Sequence, residues 1–314
     1  MTTYGYLGPQ ATFTHQALGT LAGLDGFAGV EQATAYPDVL STLDAVLRGE
    51  VDRALVPIEN SVEGGVSATL DQLVNGAPLM IIGEVLLPVT FCLCARPGTT
   101  VESITRLITH PVADAQVRGW IATHLKGVEV VHAGSTAGAA ERIAAAGEPG
   151  DAAVCARIAA DTHGLTVLAD GIADNASAVT RFVLVSRPGR PPAPTGADKT
   201  TLVLFQRNDH SGALLEILEQ FAGRGVNLCR IESRPTKTAL GSYCFTVDAE
   251  GHLADARLAE AMMGLHRICA DIRFLGSYPR ADRQPAEVTP YTTNESFAAA
   301  RRWLDEQGGI SSEA

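Results

Sequence analysis

The chain has 314 residues, 46% of them hydrophobic and 19% charged, with a formal net charge of −11 and an isoelectric point near 5.2. That length suits two domains of about 100–200 residues, and the apolar share excludes wholesale disorder. The negative balance argues against a nucleic-acid partner, which needs a basic face to neutralise phosphate.

The N-terminal Met1-Thr2-Thr3-Tyr4-Gly5-Tyr6 lacks the basic-then-apolar order of a signal peptide. The most apolar stretch, Leu79 to Ala95, is interrupted by Glu84 and Pro88, so no membrane span is expected and the predicted setting is cytoplasmic. Cys92, Cys94, Cys155, Cys229, Cys244 and Cys269 form no Cys-x-x-Cys pair and read as reduced, buried thiols. His110, His124 and His132 have no short metal-ligand spacing, so no metal is expected. Neither a Gly-x-Gly-x-x-Gly run nor a phosphate loop is present, and no cofactor is expected.

Along the chain, Val39, Leu43, Val46 and Leu47 fall on one helix face, and Val51 to Pro57 reads as a short buried strand. Ile81 to Cys94 is strand-rich, Ala137 to Ala146 an alanine-rich helix, and Thr180 to Ser186 another strand. This alternation predicts an α/β layered fold with mostly parallel strands. Residues 187–199 carry Pro188, Pro191, Pro192 and Pro194 and read as a linker. Beyond it, Thr200 to Gln206 predicts a strand, and Leu214, Ile217, Leu218 and Phe221 a helix face. Asn227 to Ser233 and Ser242 to Asp248 follow as strands, Leu253 to Cys269 as a helix and Ile272 to Tyr278 as a last strand. The order βαββαβ is ferredoxin-like. Residues 280–314 form a polar extension with a helix-like stretch from Asn294 to Glu306.

Polar clusters interrupt the apolar segments of the first region. Gly8-Pro9-Gln10-Ala11-Thr12-Phe13-Thr14 reads as a strand–turn–helix start as readily as a site. Glu59-Asn60-Ser61 with Glu63-Gly64-Gly65 ends a strand in hydrogen-bonding side chains, at the carboxyl end where open α/β sheets hold ligands. His110-Pro111 and Ser135-Thr136 each sit where a strand runs into a helix, as caps or as ligand donors. In Thr180-Arg181-Phe182 an arginine opens an apolar strand, which fits an edge salt bridge or a binding role.

Taken in order, these motifs resemble the prephenate dehydratase family. Gly8-Pro9 with Thr12-Phe13-Thr14, Pro57-Ile58-Glu59-Asn60-Ser61, His110-Pro111 with Gln116, Ser135-Thr136 and Thr180-Arg181-Phe182 all correspond. Gly212-Ala213-Leu214-Leu215 and Glu232-Ser233-Arg234-Pro235 resemble the two phenylalanine-binding motifs of an amino-acid-binding regulatory (ACT) domain. Departures are Ala11 where glycine is usual, Val112 for glutamine, Ala178 for asparagine and Ser211 for proline. Asn175 or Ser177 is expected to supply the polar group that Ala178 lacks.

The resemblance implies a two-lobed, periplasmic-binding-protein-like catalytic domain over 1–186, with lobes near 1–83 plus 170–186 and 84–169. A ferredoxin-like βαββαβ ACT domain follows over 200–279. It implies decarboxylating dehydration of prephenate to phenylpyruvate in phenylalanine biosynthesis, with arogenate dehydration or non-catalytic amino-acid sensing as the alternatives. Thr180, Arg181, Phe182, Glu59, Asn60 and Ser61 are the expected catalytic group. Thr12, His110, Gln116, Ser135, Thr136 and Asn175 are expected to bind substrate. Arg181 is expected to bind a substrate carboxylate or to hold Glu59 or another acidic partner. Asn208, Gly212, Ala213, Leu214, Leu215, Glu232, Ser233, Arg234 and Pro235 are expected to bind L-phenylalanine in a homodimer or homotetramer.

Overall fold

A computed structural model describes residues 2–22, 27–237 and 243–308. The chain divides into two compact units: residues 2–69 with 85–185, and residues 70–84 with 186–308. Residues 70–84 thus fall with the C-terminal unit, whereas the resemblance implied that 70–83 belong to the first lobe and Glu84 to the second. No described helix is long and apolar enough to cross a membrane.

Up to Ser186 the chain runs through β1 (Tyr4–Leu7), α1 (Phe13–Gly19), β2 (Thr34–Tyr36), α2 (Val39–Arg48), β3 (Arg53–Asn60), β4 (Gly64–Gly65) and α3 (Ser67–Asn75). Then come β5 (Met80–Pro88), β6 (Cys92–Ala95), β7 (Arg106–Thr109), α4 (Pro111–His124), β8 (Glu129–His132), α5 (Thr136–Ala146), β9 (Asp151–Cys155), α6 (Arg157–Thr162), β10 (Thr166–Asp170) and β11 (Val179–Ser186). Helix α2 shows how local sequence sets these bounds. Asp38 accepts the Ser41 amide at 2.7 Å as its cap, Gly49 ends it at φ 75°, and Val39, Leu43 and Val46 are buried.

One sheet has the order β2-β1-β3-β11-β5 with β4 on β3, and a second has the order β10-β6-β9-β7-β8. The expectation of mostly parallel strands is corrected: the sheets are mixed. β1 pairs with β2 and β3 in parallel, and β7 with β8 and β9, but β6 runs antiparallel to both β9 and β10. β6 enters this sheet from the other one, three residues after Pro88 of β5, and takes its place between β9 and β10 running against both, so no helical crossover sets its direction. Cys92, Cys94 and Cys155 are buried on this β6–β9 pair, with the Cys94 and Cys155 sulfurs 3.3 Å apart. All six cysteines are free thiols, but Cys229 is exposed, against the expectation that the thiols are buried.

The C-terminal unit contains β12 (Asp198–Phe205), α7 (Ala213–Ala222), β13 (Leu228–Pro235), β14 (Tyr243–Glu250), α8 (Ala256–Ile268), β15 (Asp271–Pro279) and α9 (Asn294–Gly308). Ser242, the expected start of β14, lies outside the described residues. The sheet order is β13-β14-β12-β15, antiparallel throughout, which is the ferredoxin-like arrangement. Ile217 and Phe221 of α7 and Leu258, Ala261 and Leu265 of α8 pack on Leu202, Leu204, Val247 and Ala249. Glu84, which interrupts the apolar run in sequence, is matched by Lys199, whose Nζ lies 3.0 Å from the Glu84 carboxylate.

The extension after Pro279 packs on this unit. Asp255 precedes α8 but spends its carboxylate on the His252 amide at 2.8 Å, and Asn294 Oδ1 accepts the Ala256 amide at 2.8 Å in its place. A side-chain cap contributes about 0.5–2 kcal/mol. Asn294→Ala should therefore lower the stability of the C-terminal unit by about 1 kcal/mol, read as a lower thermal midpoint of the full chain.

Candidate active site

Within the first unit, the end of β3 is clasped to the start of β11. The Ser61 amide donates to the Val179 carbonyl at 2.9 Å, and the Val179 amide donates to Ser61 Oγ at 3.0 Å. One residue on, Asn60 Nδ2 donates to Thr180 Oγ1 at 2.8 Å. Asn60 is itself fixed, because its Oδ1 accepts the Val62 and Glu63 amides at 2.8 and 3.1 Å. With both lone pairs of the amide oxygen engaged, its NH2 must face Thr180. No acceptor for the Thr180 hydroxyl hydrogen is present among the described residues, so Thr180 is left as a donor.

Asn60 and Thr180 line a cavity of about 290 Å³, near the lower end of the range for small-molecule sites. Residues from both sheets meet there. Thr12, Phe13 and Thr14 come from the turn after β1 and from α1; Val89 and Phe91 precede β6; His110, Ala113 and Gln116 belong to the start of α4; Gly134, Ser135 and Thr136 lead into α5. The wall is apolar on one side, where Phe13 and Phe91 meet edge to face at 5.4 Å. Among the described residues, no Asp, Glu, Lys or Arg lines it.

Two longer helices begin at the cavity. His110 caps α4, its Nδ1 accepting the Val112 amide at 3.3 Å, and Ser135 caps α5, its Oγ accepting the Gly138 amide at 2.9 Å. Each helix N-terminus carries roughly half a positive charge, so the cavity favours an anion without a cationic side chain. The bond to Val112 fixes the His110 proton on Nε2 in the neutral ring. Burial, and then the nearby His132, hold the His110 pKa below its ordinary value. Gln116 is 7% exposed, and its Oε1 has no hydrogen-bond partner among the described residues.

The sequence-predicted residues divide on this geometry. Thr12, His110, Gln116, Ser135, Thr136, Asn60 and Thr180 line the cavity; Glu59, Ser61, Arg181, Phe182 and Asn175 do not. Arg181 and Phe182 follow Thr180 in β11, and alternation turns Arg181 to the opposite face. There it is 6% exposed, with Nη1 3.5 Å from Glu59, and Phe182 is buried. Asn175 accepts the Ser177 amide and hydroxyl at 3.0 and 2.8 Å, so both side chains expected to compensate for Ala178 are engaged with each other. Ala178 itself is buried among apolar side chains. Phe91, Val89 and Pro37 were missed, since an apolar residue beside a strand gives no local sign of facing a ligand.

The model of the family described as Prephenate dehydratase matches residues 4–190. The chain belongs to the prephenate dehydratase family. The enzyme from Mycobacteroides abscessus is 46% identical over 304 residues, covering 96% of each chain. A crystal structure of prephenate dehydratase from Arthrobacter aurescens in complex with L-Phe is 51% identical, with a TM-score of 0.91 over 98% of this chain and 100% of that one. A structure described as GqqA, a novel type of quorum quenching acylase, is 33% identical, with a TM-score of 0.77 over 88% of this chain and 98% of that one. As a prephenate dehydratase the chain is a lyase that forms phenylpyruvate from prephenate.

In the C-terminal unit the residues expected to bind phenylalanine separate too. Asn208 and Ala213 line a cavity of about 300 Å³ with His210, Glu216 and Cys269, whereas Leu214 and Leu215 are exposed at the start of α7. A Cβ added at Gly212 would meet no atom within 4 Å, so it is the φ of 95° that requires glycine there. On β13, Glu232 pairs with Arg230 at 3.0 Å and with Arg234 at 3.4 Å, and Arg234 also pairs with Asp71. Ser233 and Pro235 are exposed on the same strand.

His110 has a lowered pKa, so the folded site keeps it neutral above its folded pKa and resists protonation below the unfolded value near 6.5. Protonation on Nδ1 would cost the bond from Val112. After subtraction of the uncatalysed rate, kcat/KM should stay level from pH 8 to 6.5 and decline only at lower pH. His110→Asn, which can still cap α4, should remove that acid limb.

Proposed function

We propose that this cavity is where prephenate is turned over, with Thr180 activating the departing hydroxyl. The observation that carries the reading is the Asn60–Thr180 bond, which occupies a lone pair of the Thr180 hydroxyl and leaves its hydrogen free to donate into the cavity. Prephenate bears two carboxylates and a ring hydroxyl. Breaking the bond to the ring carboxylate releases carbon dioxide, and its electron pair moves through the diene to expel the hydroxyl. The leaving oxygen gains negative charge, which the Thr180 O–H stabilises before a solvent proton completes water.

The apolar wall of Phe13, Phe91 and Val89 suits the carboxylate that must lose its charge, because a dry surface disfavours the ion and not the neutral product. The pyruvyl carboxylate belongs at the start of α5, beside Ser135 and Thr136, with the neutral His110 and the unpartnered Gln116 as further hydrogen-bonding groups. Glu59 and Arg181 act as an ion pair that holds β3 against β11 from the other face.

A positioned proton donor contributes about 10²–10⁴-fold in rate. Thr180→Ala should lower kcat for phenylpyruvate formation by that order, and Thr180→Ser should restore most of it; near-normal turnover of the alanine variant would sink the assignment. The lining also discriminates against arogenate, whose ammonium would meet helix N-termini and no carboxylate. kcat/KM for prephenate should exceed that for arogenate at least roughly tenfold, the cost of about 1.4 kcal/mol of unpaired charge.

For regulation, the C-terminal unit is read as an ACT domain that binds L-phenylalanine between paired copies, in a homodimer or homotetramer. Its ferredoxin-like topology, the motifs at Gly212 and Glu232, and the relative crystallised with L-Phe support this. Exposed Ser233 lies outside the ion pairs of β13. Ser233→Ala should weaken inhibition by phenylalanine while leaving uninhibited kcat unchanged, checked by inhibition curves at fixed prephenate.

A further inference from the structure

The loop between β10 and β11 grips the middle of α4 at a single residue. The Asp174 amide donates to the Gln116 carbonyl at 2.8 Å. The Asp174 carboxylate accepts the Gly119 amide at 2.8 Å and the Trp120 amide at 3.0 Å. In a regular helix those two amides point at the carbonyls of Ala115 and Gln116. Asp174 thus binds the backbone of the helix at the turn that carries Gln116.

Gly119 makes sense only beside this carboxylate. A glycine in mid-helix is a poor helix former, yet a Cβ at 119 would lie 2.9 Å from Asp174 Oδ1 and 3.2 Å from its Cγ. No such contact is tolerated without movement of the acid. The side chain of Gln116 meanwhile lines the cavity, with Oε1 unpartnered and only 7% of the residue exposed. Six residues after Asp174 the same loop delivers Thr180, with the Ala178 carbonyl accepting the Val89 amide at 2.8 Å on the way.

The geometry points to Asp174 as a positioning residue for the dehydration. It does not line the cavity itself; it sets the turn of α4 that aims Gln116 and anchors the loop that presents Thr180, and Gly119 is the space it needs. This rests on the reading of the cavity as the substrate site.

The test is a pair of double-mutant cycles on the full chain, with rates for prephenate taken per folded enzyme, well below each variant's melting midpoint. Gly119→Ala should lower kcat/KM at least tenfold in the wild-type background, but less than twofold beside Asp174→Ala, where the added methyl no longer meets a carboxylate. Asp174→Asn, which keeps one acceptor oxygen, should fall between wild type and Asp174→Ala. The losses in Asp174→Ala and Gln116→Ala should be far from multiplicative. The proposal is overturned if the Asp174 variants lower only the melting midpoint and keep wild-type kcat/KM, or if the Gly119 and Asp174 losses multiply. A kinetically silent Gln116→Ala would sink the cavity reading; an impaired Gln116→Ala beside a silent Asp174→Ala sinks the positioning role alone.

Discussion

A cavity without a charged side chain that receives a doubly charged anion is the constraint on which the proposed chemistry depends. One full positive charge at 4 Å would contribute about 4 kcal/mol at an effective dielectric constant near 20. Two helix ends of roughly half a charge each can supply a comparable amount, and they need no flexible side chain to be ordered. The cost is geometric. A helix terminus acts within about one turn and a hydroxyl only at hydrogen-bond distance, so the starts of α4, α5 and β11 and the end of β3 must be held in fixed register. The reciprocal Ser61–Val179 bonds and the Asp174 grip on α4 serve that end in different parts of the same unit.

Neutral donors also suit a reaction whose charge falls. A carboxylate leaves as carbon dioxide, and a guanidinium or ammonium facing it would bind the ground state more tightly than the transition state, working against turnover. The one arginine of the Thr180-Arg181-Phe182 triplet is instead drawn to the other face of β11, where Glu59 meets it.

Much of this was legible in the sequence. Element order, the linker prolines and the βαββαβ run follow from periodicity and punctuation, and the strand-end cluster around Asn60 was visible as polar side chains closing an apolar run. The period of two that a strand imposes turns Arg181 away from the face that Thr180 and Phe182 share, so the triplet does not present one surface. The antiparallel insertion of β6 was hidden because Ile81 to Cys94 reads as one apolar stretch, and only the three residues after Pro88 separate two strands of different sheets. Gln116 could be named from its motif, but the bond of its carbonyl to the Asp174 amide, 58 positions away, could not. The pairing of Arg234 with Asp71 is equally long-range, and no local pattern announces it.

Ala11 shows how a departure from the family pattern can be absorbed. It has φ 64°, where a side chain costs about 1–2 kcal/mol relative to glycine. Against this, its methyl is buried beside Cys92, Ala137 and Ala140, which returns about 0.8 kcal/mol, and alanine restricts the unfolded chain by a further 0.4–1 kcal/mol or so. The terms nearly cancel. The Ala11 amide keeps its bond to His15 Nδ1 at 3.1 Å, and the turn still presents Thr12 with its hydroxyl on the Pro9 carbonyl at 3.0 Å and accepting the His15 amide. A glycine there would serve by conformational freedom; alanine serves by burial, and the first helix begins at the cavity either way.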